Sequence, residues 1–124
     1  MSRAQQFWNE QAEWSEATFG KTSERGPLGA LKHLEKEAKE CQIEANLLIY
    51  YKVEEGITEE DIKTTTDNLK VEIADCLFLT LDSARRAGMT LDELLDVAFE
   101  KLEVNKKRKW QRLTSDGPVE HVRE

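Results

Sequence analysis

Apolar residues recur along this chain at intervals of three and four, and nowhere do they alternate over the length of a strand. That period fits an amphipathic helix and rejects a half-buried strand. The helix breakers are few, 6 Gly and 2 Pro in 124 residues, and they cluster between the periodic stretches. A first helix is expected from about Arg3 to Thr18, with Phe7, Gln11, Trp14 and Thr18 on one stripe, and Phe19-Gly20 to Gly26-Pro27 is a loop. A second runs from about Leu28 to Lys52 on the stripe Leu31, Leu34, Ala38, Cys41, Ala45 and Leu48, and ends at Val53 to Ile57. Thr58, followed by Glu59, Glu60 and Asp61, is an N-cap with acids facing the positive end of the helix dipole. Thr64-Thr65-Thr66 is a weak helix former, so Thr66 or Asp67 is a candidate cap for a restart. From Asn68 to Ala87 the stripe Leu69, Ile73, Cys76, Thr80 and Ala84 resumes, and Gly88 closes it behind Arg85 and Arg86. Thr90 caps a fourth helix, with Leu94, Leu95, Ala98, Phe99 and Leu102 on its inner face, ending near Trp110. The expectation is an all-α four-helix bundle, one domain over 1–113, followed by an irregular tail over 114–124.

Composition narrows the classes of function. A net charge of -7 repels nucleic-acid phosphate, so no nucleic acid polymer is expected as a partner. No apolar run approaches the roughly 18 residues a membrane span needs. The N-terminal residues lead into Trp8-Asn9-Glu10 rather than an apolar signal segment, so a cytoplasmic protein without membrane contact is expected. Cys41 and Cys76 are too few for a disulfide framework or a zinc site and read as small core residues. Four short amphipathic helices carry more apolar stripe than one copy covers, which points to a homodimer or homotetramer.

Among 25 acidic residues, pairs three apart are common, and spacing alone selects none of them. Two pairs differ in their surroundings. Glu72 and Asp75 fall inside Glu72-Ile73-Ala74-Asp75-Cys76-Leu77-Phe78-Leu79, the most apolar stretch of the chain, where an unpaired carboxylate would be strongly penalised. Glu37 and Glu40 flank the Leu34-Ala38-Cys41 stripe in the same way. If the two helices pack antiparallel, the four acids converge, and such a cluster needs cations; hard oxygen ligands suit Mg²⁺ or Mn²⁺. Equally compatible with the spacing, each pair lies on a solvated flank and meets Lys or Arg. Further on, Lys101, Asn105 and either Arg108 or Lys109 share a helical face that suits a polyphosphate, or simply complements a helix C-terminus. Lys21 and Arg25, in the first loop, are further candidates for the same anion.

These residues resemble the MazG-like all-α nucleoside triphosphate pyrophosphatases, whose signature is an E-E-x-x-E helix, an E-x-x-D helix and a later K-x-x-x-N-x-x-[RK] helix. Phe19-Gly20, Arg25-Gly26-Pro27-Leu28-Gly29, Leu31-Lys32-His33-Leu34, Ala74 to Leu79 with Asp82 and Arg85, and Asn105 to Trp110 are similar to the phage and bacterial dATP/dGTP pyrophosphohydrolase branch. The similarity reaches Pro118 to Arg123. One position departs: Lys36 stands where the resemblance has the first acid of its E-E-x-x-E helix, and Glu35 lies about 100° around the helix from it.

The resemblance implies a site between helices, completed by oligomerisation, with two or more Mg²⁺ ions carried by Glu37, Glu40, Glu72 and Asp75 as catalytic ligands. Lys101, Asn105 and Arg108 would lie near the nucleotide and its phosphates. The substrate would be a purine deoxynucleoside triphosphate, dGTP first, with GTP and dATP as alternatives, attacked at the α-phosphorus to give the monophosphate and pyrophosphate. That reaction serves nucleotide-pool control or the synthesis of a modified purine, in the host cytoplasm if the gene is a phage's. Trp14 and Phe19 are candidates to stack on the base, His33 to contact a phosphate, and His121 to reach a neighbouring subunit. The rival readings are a dUTP-specific hydrolase or phosphoribosyl-ATP pyrophosphohydrolase of the same superfamily, and a non-catalytic helical interaction module.

Overall fold

Ser2 opens the first helix. Its hydroxyl accepts from the Gln5 amide at 3.1 Å, satisfying one of the donors a helix start leaves unpaired. Helix α1 then covers Arg3–Phe19, until Gly20 at φ 108° turns the chain out. The computed structural model describes residues 1–110 and 117–122. Helix α2 spans Leu28–Tyr51, directly behind Pro27. Helix α3 spans Glu59–Arg86 and begins with a full capping box, in which the Thr58 hydroxyl accepts from the Asp61 amide at 3.1 Å and the Asp61 carboxylate from the Thr58 amide at 3.0 Å. Gly88, at φ 95°, closes it, and α4 covers Leu91–Lys107. The described residues are therefore all-α, as the periodicity requires, apart from one short bridge: β1 (Lys109–Trp110) pairs antiparallel with β2 (His121–Val122).

The chain forms two compact units, Met1–Leu91 and Asp92–Glu124. The expected boundary at 113/114 lies outside the described residues. Of the tail expected to be irregular, His121–Val122 is strand, a pairing too short to leave any period in the sequence. Helix α4 stops at Lys107 rather than Trp110, because the chain turns there, with the Arg108 amide donating to the Asn105 carbonyl at 3.2 Å, and enters β1. The stretch of α3 expected to restart does not break. Thr66 returns its hydroxyl to the Ile62 carbonyl at 2.7 Å and Asp67 pairs with Lys63 at 2.8 Å, so both side chains are satisfied inside the helix instead of capping one.

In the first unit α2 and α3 pack as a hairpin across the connection 52–58. His33, near the start of α2, faces the same cavity as Leu79, near the end of α3, so the pair is antiparallel. Cys41 and Cys76 meet between them, Sγ to Sγ 3.7 Å, half-buried and unbonded; burial and the neighbouring Cys76 push the Cys41 thiol up to about 11, so it is a packing group and not a nucleophile.

Helix α1 lies on α3 through a face that shares Gln11 with the expected stripe but has Trp8 and Ser15 in place of Phe7 and Trp14. Trp8, Gln11 and Ser15 are buried, whereas Phe7 and Trp14 are exposed by 42% and 51%. The buried polar pair explains the rotation. Asp82 Oδ1 accepts from Gln11 Nε2 at 2.8 Å and from Arg85 Nη2 at 2.5 Å, and Asp82 Oδ2 from Arg86 Nε at 3.2 Å. Arg86 Nη2 donates to Ser15 Oγ at 2.9 Å and to the carbonyls of Ser15 and Gly20 at 3.3 and 2.9 Å, and Nη1 to the Arg25 carbonyl at 3.1 Å. Every nitrogen of the Arg86 guanidinium and both oxygens of Asp82 find partners, which makes their burial tolerable, whereas Gln11 Oε1 and Arg85 Nε are buried without one among the described residues.

Candidate active site

The α2/α3 hairpin brings carboxylates together. Glu37 and Glu40, one turn apart on α2, and Glu72 on α3 each present an oxygen within 4.8 Å of the others. Asp75, one turn beyond Glu72, stands outside that trio; it is exposed, its charge acts on Glu72, and it lines the cavity described below. Among the described residues neither Glu40 nor Glu72 is paired with Lys or Arg, so these acids are not the neutralised flank that spacing alone permits. Lys36 is exposed, and Glu35 pairs with Lys39 at 3.4 Å on the solvent side, so neither joins the trio.

The electrostatics follow from the crowding. Glu72 touches Glu37, is partly desolvated and feels the charges of Glu37, Glu40 and Asp75, which together push its carboxyl up to about 7. Glu37 is held below its usual range, chiefly by the bond to Glu72 and also by Glu40 and by His33, whose Nε2 lies 3.2 Å from Glu37 Oε1. Of the two facing carboxyls, Glu72 is the one that keeps its proton to higher pH. Glu72 Oε2 is buried and has no hydrogen-bond partner among the described residues, an acceptor that a cation could satisfy. Three hard oxygen donors from i, i+3 positions and a facing helix fit Mg²⁺ or Mn²⁺.

A stability profile follows. An unfolded glutamate ionises near pH 4.3, whereas folded Glu72 keeps its proton to about 7, so the folded state binds more protons in between. Without metal the protein is expected to lose stability as pH rises from about 4.5 to about 7, with the loss complete above the folded pKa. Thermal melts in chelator across that range measure it; a Glu72→Gln variant showing the same slope would assign it elsewhere.

Beside the carboxylates opens a cavity of about 310 Å³, bounded by Trp14, Phe19, His33, Glu37, Asp75, Phe78 and Leu79. Trp14 meets Phe19 and Phe78 edge to face, with ring centres 5.2 and 5.5 Å apart, and the Arg25 guanidinium lies 5.9 Å from the Phe19 ring centre. Trp14, Phe19, His33, Glu37 and Asp75 are thus gathered around one space. Lys21 is exposed and is not among its lining residues. Phe78 and Leu79 complete the wall without being sequence-based candidates; their one local signal is their place three and four residues after Asp75.

In the second unit, Asn105 organises a separate group. Its carbonyl accepts from Trp110 Nε1 at 2.9 Å and its amide oxygen from Arg108 Nη1 at 3.5 Å, and Trp110 meets His121 edge to face at 6.0 Å. Lys101 is exposed one turn before Asn105, and Lys109 pairs with Val122 across the strands rather than sharing a helical face with Lys101.

The family model for dATP/dGTP pyrophosphohydrolase matches residues 53–124, which include Glu72, Asp75, Lys101, Asn105, Arg108 and Lys109; Glu37 and Glu40 precede the matched segment. No curated protein and no solved structure matches the chain.

Proposed function

The chain belongs to the dATP/dGTP pyrophosphohydrolase family, and from that premise we propose that it cleaves a purine deoxynucleoside triphosphate, dGTP before dATP or GTP, to the monophosphate and pyrophosphate at a Mg²⁺ centre. One observation supports this most: three carboxylate oxygens within 4.8 Å, with a buried unpartnered oxygen on Glu72, border a cavity walled by aromatic rings. Glu37, Glu40 and Glu72 would hold the metal, with Asp75 as the further ligand at the cavity edge. Bound Mg²⁺, or Mn²⁺ in its place, supplies the positive charge that neutralises phosphate oxygens and makes a bound water acidic. The chain's own groups do the rest. Trp14, Phe19 and Phe78 offer faces and edges to a purine, and His33 orients Glu37 through its Nε2 contact and stands at the cavity where a phosphate would pass. On the second unit, Lys101, Asn105 and Arg108 offer donors of the kind a polyphosphate takes. The reaction drains a purine deoxynucleotide pool or hands a monophosphate to modified-purine synthesis.

A panel of nucleoside triphosphates with and without Mg²⁺, with product analysis, tests the reading. Pyrophosphate and a purine monophosphate, formed only with Mg²⁺, are expected; release of orthophosphate or a preference for dUTP would overturn it. Saturating Mg²⁺ is also expected to remove the stability loss between about pH 4.5 and 7, because the metal would take the place of the proton on Glu72.

A homodimer or homotetramer is part of the proposal. Ile73, expected on the core stripe, is 55% exposed, and Phe99 and Leu102, expected on an inner face, are 66% and 46% exposed. Such surface favours a second copy. Light scattering at micromolar concentration is expected to give a multiple of 14.3 kDa, and a mass equal to it would count against assembly.

A further inference from the structure

Arg86 lies outside the carboxylate cluster and does not line the cavity, yet its side chain is only 1% exposed and its donors end on three separate backbone carbonyls. Each carbonyl belongs to, or follows directly after, a residue of the aromatic wall or its cation. The Ser15 carbonyl follows Trp14, the Gly20 carbonyl follows Phe19, and the Arg25 carbonyl belongs to the residue whose guanidinium lies by the Phe19 ring. Asp82 orients the guanidinium through Nε at 3.2 Å. A second hold acts on the same loop, where Glu16 accepts from the Thr22 amide at 2.8 Å and from the Thr22 hydroxyl at 2.6 Å.

Trp14 and Phe19 stay 51% and 45% exposed at the mouth of the cavity. Trp14 is held within α1, whereas Phe19 is its last residue and stands directly before Gly20, whose φ of 108° marks the point where the backbone leaves the helix and gains freedom. The backbone on either side of Phe19 is bonded from behind by Arg86.

We infer that Arg86, oriented by Asp82, is a positioning residue for the nucleotide: it fixes the end of α1 and the loop 20–27 so that Trp14 and Phe19 present a preformed slot to the base. The inference rests on the proposed purine nucleotide reading and adds to it the residue that sets the slot. Base affinity then depends on a side chain that touches no substrate, and the chemistry at the carboxylates does not depend on it.

Arg86→Lys keeps a cation but lacks a planar fork able to serve three carbonyls and Asp82 at once. Thr22→Val removes one half-buried bond, from the Thr22 hydroxyl to Glu16, keeps the amide bond, and is expected to leave the fold intact. In the full-length protein with Mg²⁺, Arg86→Lys is expected to raise KM for dGTP about tenfold and Thr22→Val about threefold, with kcat within about twofold of wild type. Amide hydrogen exchange is expected to accelerate at residues 20–25 and to stay unchanged around Glu37 and Glu72. Faster loop exchange with an unchanged KM in both variants would overturn the positioning role. So would a joint fall of kcat and of α2/α3 protection in Thr22→Val, since that marks a purely structural clamp. A wild-type protein inert on every purine triphosphate would instead overturn the function, and this inference with it.

Discussion

Glu72→Gln is expected to reduce turnover by about three orders of magnitude while raising the melting temperature of the metal-free protein above about pH 7. The opposite signs have one cause. Glu72 is pressed against Glu37 and within reach of the charges of Glu40 and Asp75, so its ionised form is disfavoured in the fold. A neutral amide of the same shape removes that repulsion. The same amide removes a negative oxygen from a cluster whose proposed task is to hold a divalent cation, and several kcal/mol of transition-state stabilisation go with the metal. Asp75→Asn is expected to abolish most turnover too, but with a smaller rise in metal-free stability than Glu72→Gln, because Asp75 is exposed, stands outside the close trio and is the weakest of the charges acting on Glu72. Steady-state assays and melts in chelator read both quantities. Wild-type-like turnover in Glu72→Gln would remove that residue from the site. An unchanged melting temperature would mean that the crowding does not strain the fold.

Helices were legible wherever punctuation is chemical. The Thr58 cap with Asp61, the Gly20 and Gly88 exits and the Leu28 start all follow from local preferences that tertiary contacts reinforce. Glu37, Glu40 and Glu72 were legible because acids beside an apolar stripe must meet something, and the hairpin makes them meet one another. The face of α1 was not legible. Of the expected stripe Phe7, Gln11, Trp14 and Thr18 only Gln11 is buried; it is joined by Trp8 and Ser15, and the reason Gln11 and Ser15 are buried sits about 70 residues away in Asp82 and Arg86. Arg85 and Arg86 read as cations at a helix end, and that description is correct as far as it goes; only the fold reveals that Arg86 turns inward. Asp82 to Arg86 at i, i+4 is likewise the spacing of a surface pair, so nothing local marks it as buried. The β1/β2 bridge joins two residues to two, beneath any period a sequence can display.

Asp82→Asn is the substitution expected to damage the fold most. Asp82 accepts from Gln11, Arg85 and Arg86, and its side chain is only 6% exposed. Burial alone would raise its pKa, but the bonds from Ser15, Gln11 and Arg86 and the charge of Arg85 outweigh it, so the group is ionised in the fold. An amide offers one acceptor and turns donors toward donors. Breaking a buried pair from one side leaves the Arg86 charge uncompensated, a loss of about 3 kcal/mol, which for a domain of this size lowers the melting temperature by roughly 10 °C. Removing both partners is the sharper test. In many buried pairs an apolar replacement of both is neutral, because two desolvated charges disappear together. Here the Asp82→Leu, Arg86→Met double variant is expected to stay several degrees below wild type, because the carbonyls of Ser15, Gly20 and Arg25 lose their shared donor whatever happens to Asp82. A double variant as stable as wild type would show that the ion pair, and not the carbonyl anchor, accounts for the burial of Arg86.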